Sequence, residues 1–509
     1  MCATSKNIVY KKILPTMRFL LFLAFVLSGL AVSAVAPMGA DVLITRSLQQ
    51  AIDSVASLPE GGVVRLDAGV YCTGTLRLKS GVRLHLERGA TVLGSINPYD
   101  YDGYDNETGN EAGGVADKCS KPQFALIVAR DCHGVAITGE GTIDGRGLDV
   151  ALAIDSLHHI GKRIDPHYNT RRMRPSLRPK LLDFEGVDTL LVEGVNLRAS
   201  ASWGFSLNKC NDVTIRDIDF VNRAYWNNDG IDVADCHRVE ITGCNINSAD
   251  DGIVLKSFDP AGGNSDVLIA DCSVTSSANA LKMGTESFGG FRNVTIRNIR
   301  VKDTFRSAVA IETVDGAVLD NVTVDSVTAV NTGNALFIRL GHRRGERPGS
   351  LSNVTISNLS CEIPFGRPDS DYDLRGPDIN TIHNPFPASI TGIPGHRVKN
   401  VTLRNISVSY PGRGTKGMGY IGAYRYDAVP EMIDAYPEFH MFGELPAWGL
   451  YVRHVDGLIL DNVVMSTREP DYRPAMVAAD DVVNVSGTVD VPQNRHSTIL
   501  IRFEKSDIM

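Results

Sequence analysis

Short runs in which β-branched or aliphatic residues alternate with other residues recur along the chain at nearly constant intervals. They are Val135-Ala-Ile137, Leu190-Leu-Val192, Val213-Thr-Ile215, Val239-Glu-Ile241, Val267-Leu-Ile269 and Val294-Thr-Ile296. From Leu190 onward the steps are 23, 26, 28 and 27 residues. The pattern returns at Val354-Thr-Ile356, Val401-Thr-Leu403 and Leu458-Ile-Leu460, with longer insertions between. Short strands at such a period mark a solenoid in which each coil buries its apolar face only against its neighbours. Asn298, Asn358, Asn405 and Asn462 each stand four places after an anchor, so they are expected to stack as a turn ladder. One place further on, Cys244 and Cys272 interchange with Ile218, Ile299, Leu359 and Ile406. Cysteine there reads as a small buried apolar residue rather than half of a disulfide. Cys132, Cys210 and Cys236 share a second register position. A leucine-rich repeat is excluded because Leu does not dominate and no helical period separates the strands. The stretch Leu48 to Leu58 is amphipathic at helical spacing, with Leu48, Ile52, Val55 and Leu58 on one face. Lying before the first coils, it is expected to cap the open end. The fold class predicted is therefore all-β, a right-handed parallel β-helix with a short N-terminal capping helix.

A second alignment carries the chemistry. Its rungs are Trp203 to Asn208, Asp229 to Ala234, Asp251 to Lys256, Asn279 to Gly284, Ser307 to Glu312 and Asn334 to Arg339. Third and fifth positions are apolar in every rung and should point inward by the period-two rule. Fourth and sixth positions should face out, and they carry Asp232, Lys256, Lys282, Glu312 and Arg339. Second positions are Gly or Ala, which predicts a shallow outer surface. Asp229 and Asp251 head neighbouring rungs, and Asp250 directly precedes one of them. Parallel strands lie about 4.8 Å apart, so three carboxyl groups should meet on one face. Like charges that close cannot all ionise, and at least one pKa must rise. A carboxylic acid beside a carboxylate is what glycoside hydrolysis requires, one to protonate the leaving oxygen and one to activate water. The competing reading is that Asp-Gly pairs merely mark turns; it leaves the doubled Asp250-Asp251 unexplained. Trp203 heads the preceding rung, either as a stacking face for a sugar or as an ordinary half-buried Trp.

Composition adds boundaries. Charged residues make up 22% and hydrophobic residues 43%, a globular balance, and the formal net charge of −8 gives no sign of a nucleic-acid partner. Lys6, Lys11, Lys12 and Arg18 precede an apolar run from Phe19 to Leu30 and small residues up to Ala36. That order is a secretory signal peptide over residues 1–36, too short in its apolar core to span a bilayer comfortably. A secreted or periplasmic protein without a membrane anchor is expected. Residues 41–509 are expected to form one β-helix catalytic domain. Insertions near 371–394 and 412–448 break the coil rhythm, and the second is rich in aromatics such as Tyr436, Phe439, Phe442 and Trp448. Such insertions often build the binding site, and they could wall one end of the groove.

These residues resemble glycoside hydrolase family 28, the polygalacturonase family with a pectin-lyase-like β-helix. The resemblance runs from about Leu48 to the C-terminal coils and rests on several stretches in order. They include Gly141-Thr-Ile-Asp-Gly145, Arg178-Pro179, Ser202-Trp203 and Cys210-Asn-Asp-Val-Thr-Ile215. Asn227-Asn-Asp-Gly-Ile-Asp232 is similar to the family's Asn-Thr-Asp motif, and Ser248-Ala-Asp-Asp-Gly-Ile-Val-Leu-Lys-Ser257 to its Asp-Asp motif. The resemblance implies an inverting hydrolase of pectic chains, galacturonide or rhamnogalacturonan. Asp250 would be the general acid, Asp229 and Asp251 would hold and deprotonate water, and no metal or cofactor is implied. Asn227 would join Trp203 and Asp232 in binding substrate. A monomer is expected.

Two family features are missing. Asn279 stands where the family has the histidine of Gly-His-Gly, and Ala310-Ile311-Glu312 stands in place of Arg-Ile-Lys. Glu312 puts repulsion where a uronate carboxylate would be attracted. Either Lys256, Lys282 and Arg339 take over carboxylate binding, helped by a basic loop with His342, Arg343 and Arg344, or the bond cut follows a different sugar. Two rival functions remain open. A lyase on the same fold would need calcium and a basic Lys or Arg, and a non-catalytic glycan-binding β-helix would need no crowded carboxylates.

Overall fold

A computed structural model of the chain describes residues 32–34, 41–103, 124–165, 168, 177–369, 386–420 and 428–492. The leader expected over residues 1–36 lies outside them except for Val32–Ala34, which pair in parallel with Val64–Leu66. Most of the first predicted insertion, from 371 to 385, also lies outside.

The architecture is the predicted right-handed parallel β-helix. Three ladders of parallel strands run along it, and the alternating apolar residues of all three converge on one core. The anchor runs form one ladder: Val213 pairs with Val239, Val239 with Val267, and Val267 with Val294. The rung alignment forms a second. Phe205 pairs with Ile231, Ile231 with Ile253, Ile253 with Leu281, Leu281 with Val309 and Val309 with Leu336, in the register read from the sequence. Third and fifth positions of these rungs are buried, because period-two alternation sends them to the interior. Phe205 packs edge-on against Phe184 of the previous coil, with ring centroids 5.6 Å apart.

The turn ladder is present through Asn358, Asn405 and Asn462, whereas Asn298 donates its amide to Asp271 instead. Asn462 donates its side-chain amide to Asn405, and Asn405 to Asn358, each at 3.0 Å. These residues sit at φ of 52°, 54° and 53°, the left-handed region that Asn tolerates because its amide bonds locally. The seven cysteines among the described residues are all free thiols, six of them buried. The helix Asp41–Ala56 lies against the first coils with Leu48, Ile52 and Val55 buried, as a cap requires, while Leu58 falls beyond its end. A second helix, Gly147–His159, was not anticipated; it buries Val150, Ala151 and Ile154.

The small second positions serve a different purpose from the one expected. A Cβ at Gly230 would come within 2.2 Å of the Gly252 carbonyl oxygen and 2.7 Å of the Ile246 side chain. At Gly252 it would come within 2.5 Å of Val274. Glycine is needed here because coils approach closely and the core is full, not to flatten the outer face.

Candidate active site

The rung heads are stacked by their own backbones. Gly204 N–H donates to Asp229 O at 3.1 Å, Gly230 N–H to Asp251 O at 2.9 Å, and Gly252 N–H to Asn279 O at 2.8 Å. Each head therefore sits one strand spacing from the next. Buried Asn222 donates to Asp229 O at 2.7 Å, and Asn228 donates to Ser202 O at 2.7 Å, which fixes the turn before Asp229. Asp250 is held through its carbonyl, which accepts from Ser248 Oγ at 2.6 Å and Ser276 Oγ at 2.7 Å. Its carboxyl accepts from the Asp251 backbone N–H at 3.1 Å, and the residue is half-buried.

Asp229, Asp250 and Asp251 meet as predicted, with one oxygen from each lying within 4.8 Å of the others. Their environments differ. Burial and the charges of Asp232 and Asp250 push Asp229 well above the usual carboxylate range. Burial and the neighbouring Asp251 charge raise Asp250 as well. Burial alone would raise Asp251 too, but Lys282, Lys256, Arg306 and a hydrogen bond from Asn279 outweigh it and hold that carboxyl at about 2. The three interact closely, and of them only Asp251 is held below the usual carboxylate range.

Around them the predicted outward strip is polar but not exposed, which corrects the sequence reading. Lys256 is buried, 2.7 Å from Asp232 and 3.4 Å from Asp229. Lys282 is buried among Asp251 at 3.3 Å, Glu438 at 3.5 Å and Glu312 at 3.9 Å. Glu312 has no exposed surface, and burial raises its pKa far above the usual range. Asn279 donates its backbone N–H and side-chain amide to Asp251 Oδ1 at 3.0 and 2.9 Å, so it orients that carboxylate. Trp203 is half-buried with the Lys256 ammonium 4.8 Å and the Lys180 ammonium 5.0 Å from its ring centroid. Asn227, at φ 57°, accepts from buried Arg178 at 2.9 Å and helps hold the turn.

Arg339 and His342 are not brought to the carboxylates. Arg339 is 1% exposed and donates to the carbonyls of Gly392, Glu431 and Met432 at 2.8–2.9 Å. It is a strut for the second insertion, not a substrate contact. His342 bonds to the Ile433 carbonyl through its backbone N–H and to Gly345 O through its ring. Arg343 of the same loop is consumed by Asp315, at 3.0 and 2.7 Å.

The cover comes from residues 428–448. Val429, Phe439, Phe442 and Leu445 pack on Ala310, Phe337, Tyr451, Val477 and Ala479, the outward residues of later rungs, and form a second apolar core. This wall ends beside Lys282. From it Glu438 reaches the site, ion-paired to Arg306 as well as Lys282 and accepting weakly from Asn279 at 3.5 Å. Glu438 and Arg306 were missed by sequence reasoning. Arg306 had a signal, since it precedes a rung head as Asp250 does. Glu438 had none, because its partner Lys282 is 156 residues away.

Comparisons agree with this fold. The family model for glycosyl hydrolases family 28 matches residues 107–362. A polygalacturonase of Ralstonia solanacearum is 24% identical over 392 residues, covering 70% of this chain; the chain spans 65% of that relative's length. An endo-polygalacturonase of Pectobacterium parmentieri is 24% identical over 71% of this chain and 87% of its own. The family 28 exopolygalacturonase of Yersinia enterocolitica shares the fold, with a TM-score of 0.64 at 18% identity, covering 90% of this chain and 78% of its own. With half of its length matched by the family model and its carboxylates assembled on the same kind of scaffold, the chain belongs to glycosyl hydrolases family 28.

Proposed function

We propose that the protein is a secreted glycoside hydrolase that cleaves glycosidic bonds in pectic polysaccharide or oligosaccharide by an inverting acid/base mechanism. The observation that carries this is the division of labour among three carboxyls within 4.8 Å, Asp250 raised and half-buried, Asp251 held ionised. Asp250 donates its proton to the glycosidic oxygen as the bond to the anomeric carbon breaks. A water held between Asp251 and Asp229 attacks that carbon from the other face and gives its proton to Asp251. Solvent then returns a proton to Asp250 and removes one from Asp251. Family membership and the polygalacturonase relatives support a pectic substrate. The wall of residues 428–448 across one end of the strip supports exo action on chain ends.

The lyase reading fares worse on chemistry. Its base must be a cation able to lose its proton, and Lys256 and Lys282 are each clasped by carboxylates that hold them protonated, well above their ordinary range despite burial. The test is digestion of polygalacturonate and rhamnogalacturonan oligosaccharides with NMR of the first product formed. The proposal predicts small products released from chain ends with the anomeric configuration inverted. A retained anomer would replace the mechanism, and unsaturated uronide products would replace the reaction class.

A further inference from the structure

The Glu438 carboxylate lies against two cations that could otherwise attract an anionic sugar. Two cations, Lys282 and Arg306, stand beside the Asp250–Asp251 pair, and both are ion-paired to the Glu438 carboxylate. Lys282 additionally faces Asp251 and Glu312. Lys256, the other ammonium of the strip, is clasped by Asp229 and Asp232. Both cations therefore already have a carboxylate partner, and Glu438 is itself buried, next to buried Phe439 of the wall, rather than hanging in solvent. Beside it, Tyr436 is 52% exposed, with Lys282 Nζ 5.4 Å from its ring centroid. An exposed aromatic face next to a fixed carboxylate suits a sugar whose hydroxyl groups donate to the carboxylate and whose apolar ring face stacks.

We propose that Glu438 acts as a built-in carboxylate that excludes uronic acids from the position beside Lys282 and Arg306, so that the sugar bound there is neutral. This rests on the pectic glycosidase reading and sharpens it, because it makes one partner of the scissile bond an uncharged sugar. It also fits the absence of the Arg-Ile-Lys cations: having fewer cations and having a carboxylate on those present both reduce attraction for a carboxylate.

The experiment compares wild type with Glu438→Gln, which keeps size and removes charge. Substrates are oligogalacturonides and rhamnogalacturonan oligosaccharides, whose bonds differ in having a uronate or a neutral sugar at that position. Binding of free galacturonate is measured alongside by calorimetry. Wild type should favour the neutral sugar by roughly 100-fold or more in kcat/KM, since like-charge juxtaposition at a contact is strongly disfavoured. Glu438→Gln should compress that preference by about 10-fold and gain galacturonate binding that wild type lacks. Unchanged preference and binding in a folded variant would overturn the role of Glu438 while leaving the glycosidase intact. Failure of wild type to hydrolyse any pectic glycoside would overturn both. If turnover by the variant is too slow to measure, the calorimetry alone decides, and no gain in galacturonate affinity refutes the inference.

Discussion

Replacing Asp250 with Asn should lower kcat by about 10²–10⁴-fold on every substrate, the usual cost of removing a general acid, without loosening the fold. Asp250 is half-buried, its carbonyl keeps both serine bonds after the substitution, and the Asn amide oxygen can still accept from the Asp251 backbone N–H. Burial and the charge of Asp251 raise its carboxyl in the folded state. A carboxyl with a raised folded pKa stabilises the fold below its unfolded value and loses that contribution as pH rises through the folded one. At pH 7 the wild type therefore bears the cost of either keeping that proton or ionising in place, and the amide bears neither. Thermal unfolding at pH 7 should find Asp250→Asn as stable as wild type or more so, with any advantage vanishing below about pH 4, where the unfolded carboxyl is itself protonated. Lost turnover with maintained or increased stability distinguishes a catalytic acid from a structural one. Undiminished turnover would remove Asp250 from the chemistry.

Lys256→Met should do the opposite to stability. The ammonium is buried between Asp232 and Asp229 at 2.7 and 3.4 Å, and a thioether of similar length leaves both acids without their cation. Breaking a buried pair from one side costs about 3–5 kcal/mol. The two carboxyls already tend to be raised by burial, and losing Lys256 raises them further. The penalty is therefore greatest at neutral pH and shrinks on acidification as both take up protons. The same change removes one of the cations that keep Asp251 ionised, so activity should fall with stability. Unfolding midpoints at pH 7 and pH 4.5 check the sign. A variant equally destabilised at both would show that Lys256 matters through packing rather than charge.

Much of this was legible in the chain because a solenoid writes its contacts locally. Residues one coil apart are neighbours, so aligning Asp229 with Asp251 and Asn279 gave their true register. Buried thiols at Cys244 and Cys272, and the ladder through Asn358 and Asn405, followed from the same repeat. Alternation also said which side chains leave the core. It could not say what lies on top of them. Lys282, Glu312 and Arg339 point outward as predicted yet are buried, because residues 428–448 fold back over those rungs. That contact has no period. Its apolar half was visible only as an aromatic-rich insertion, and its charged half, Glu438 against Arg306 and Lys282, joins parts of the sequence that no repeat relates.

The most direct measurement is a crystal structure of the Asp250→Asn protein soaked with a pectic oligosaccharide. The account predicts a sugar chain along the strip beside Trp203, with its glycosidic oxygen within hydrogen-bonding reach of residue 250 and a water against Asp251 and Asp229. An oligosaccharide bound on another face, with the three carboxyls untouched, would contradict it.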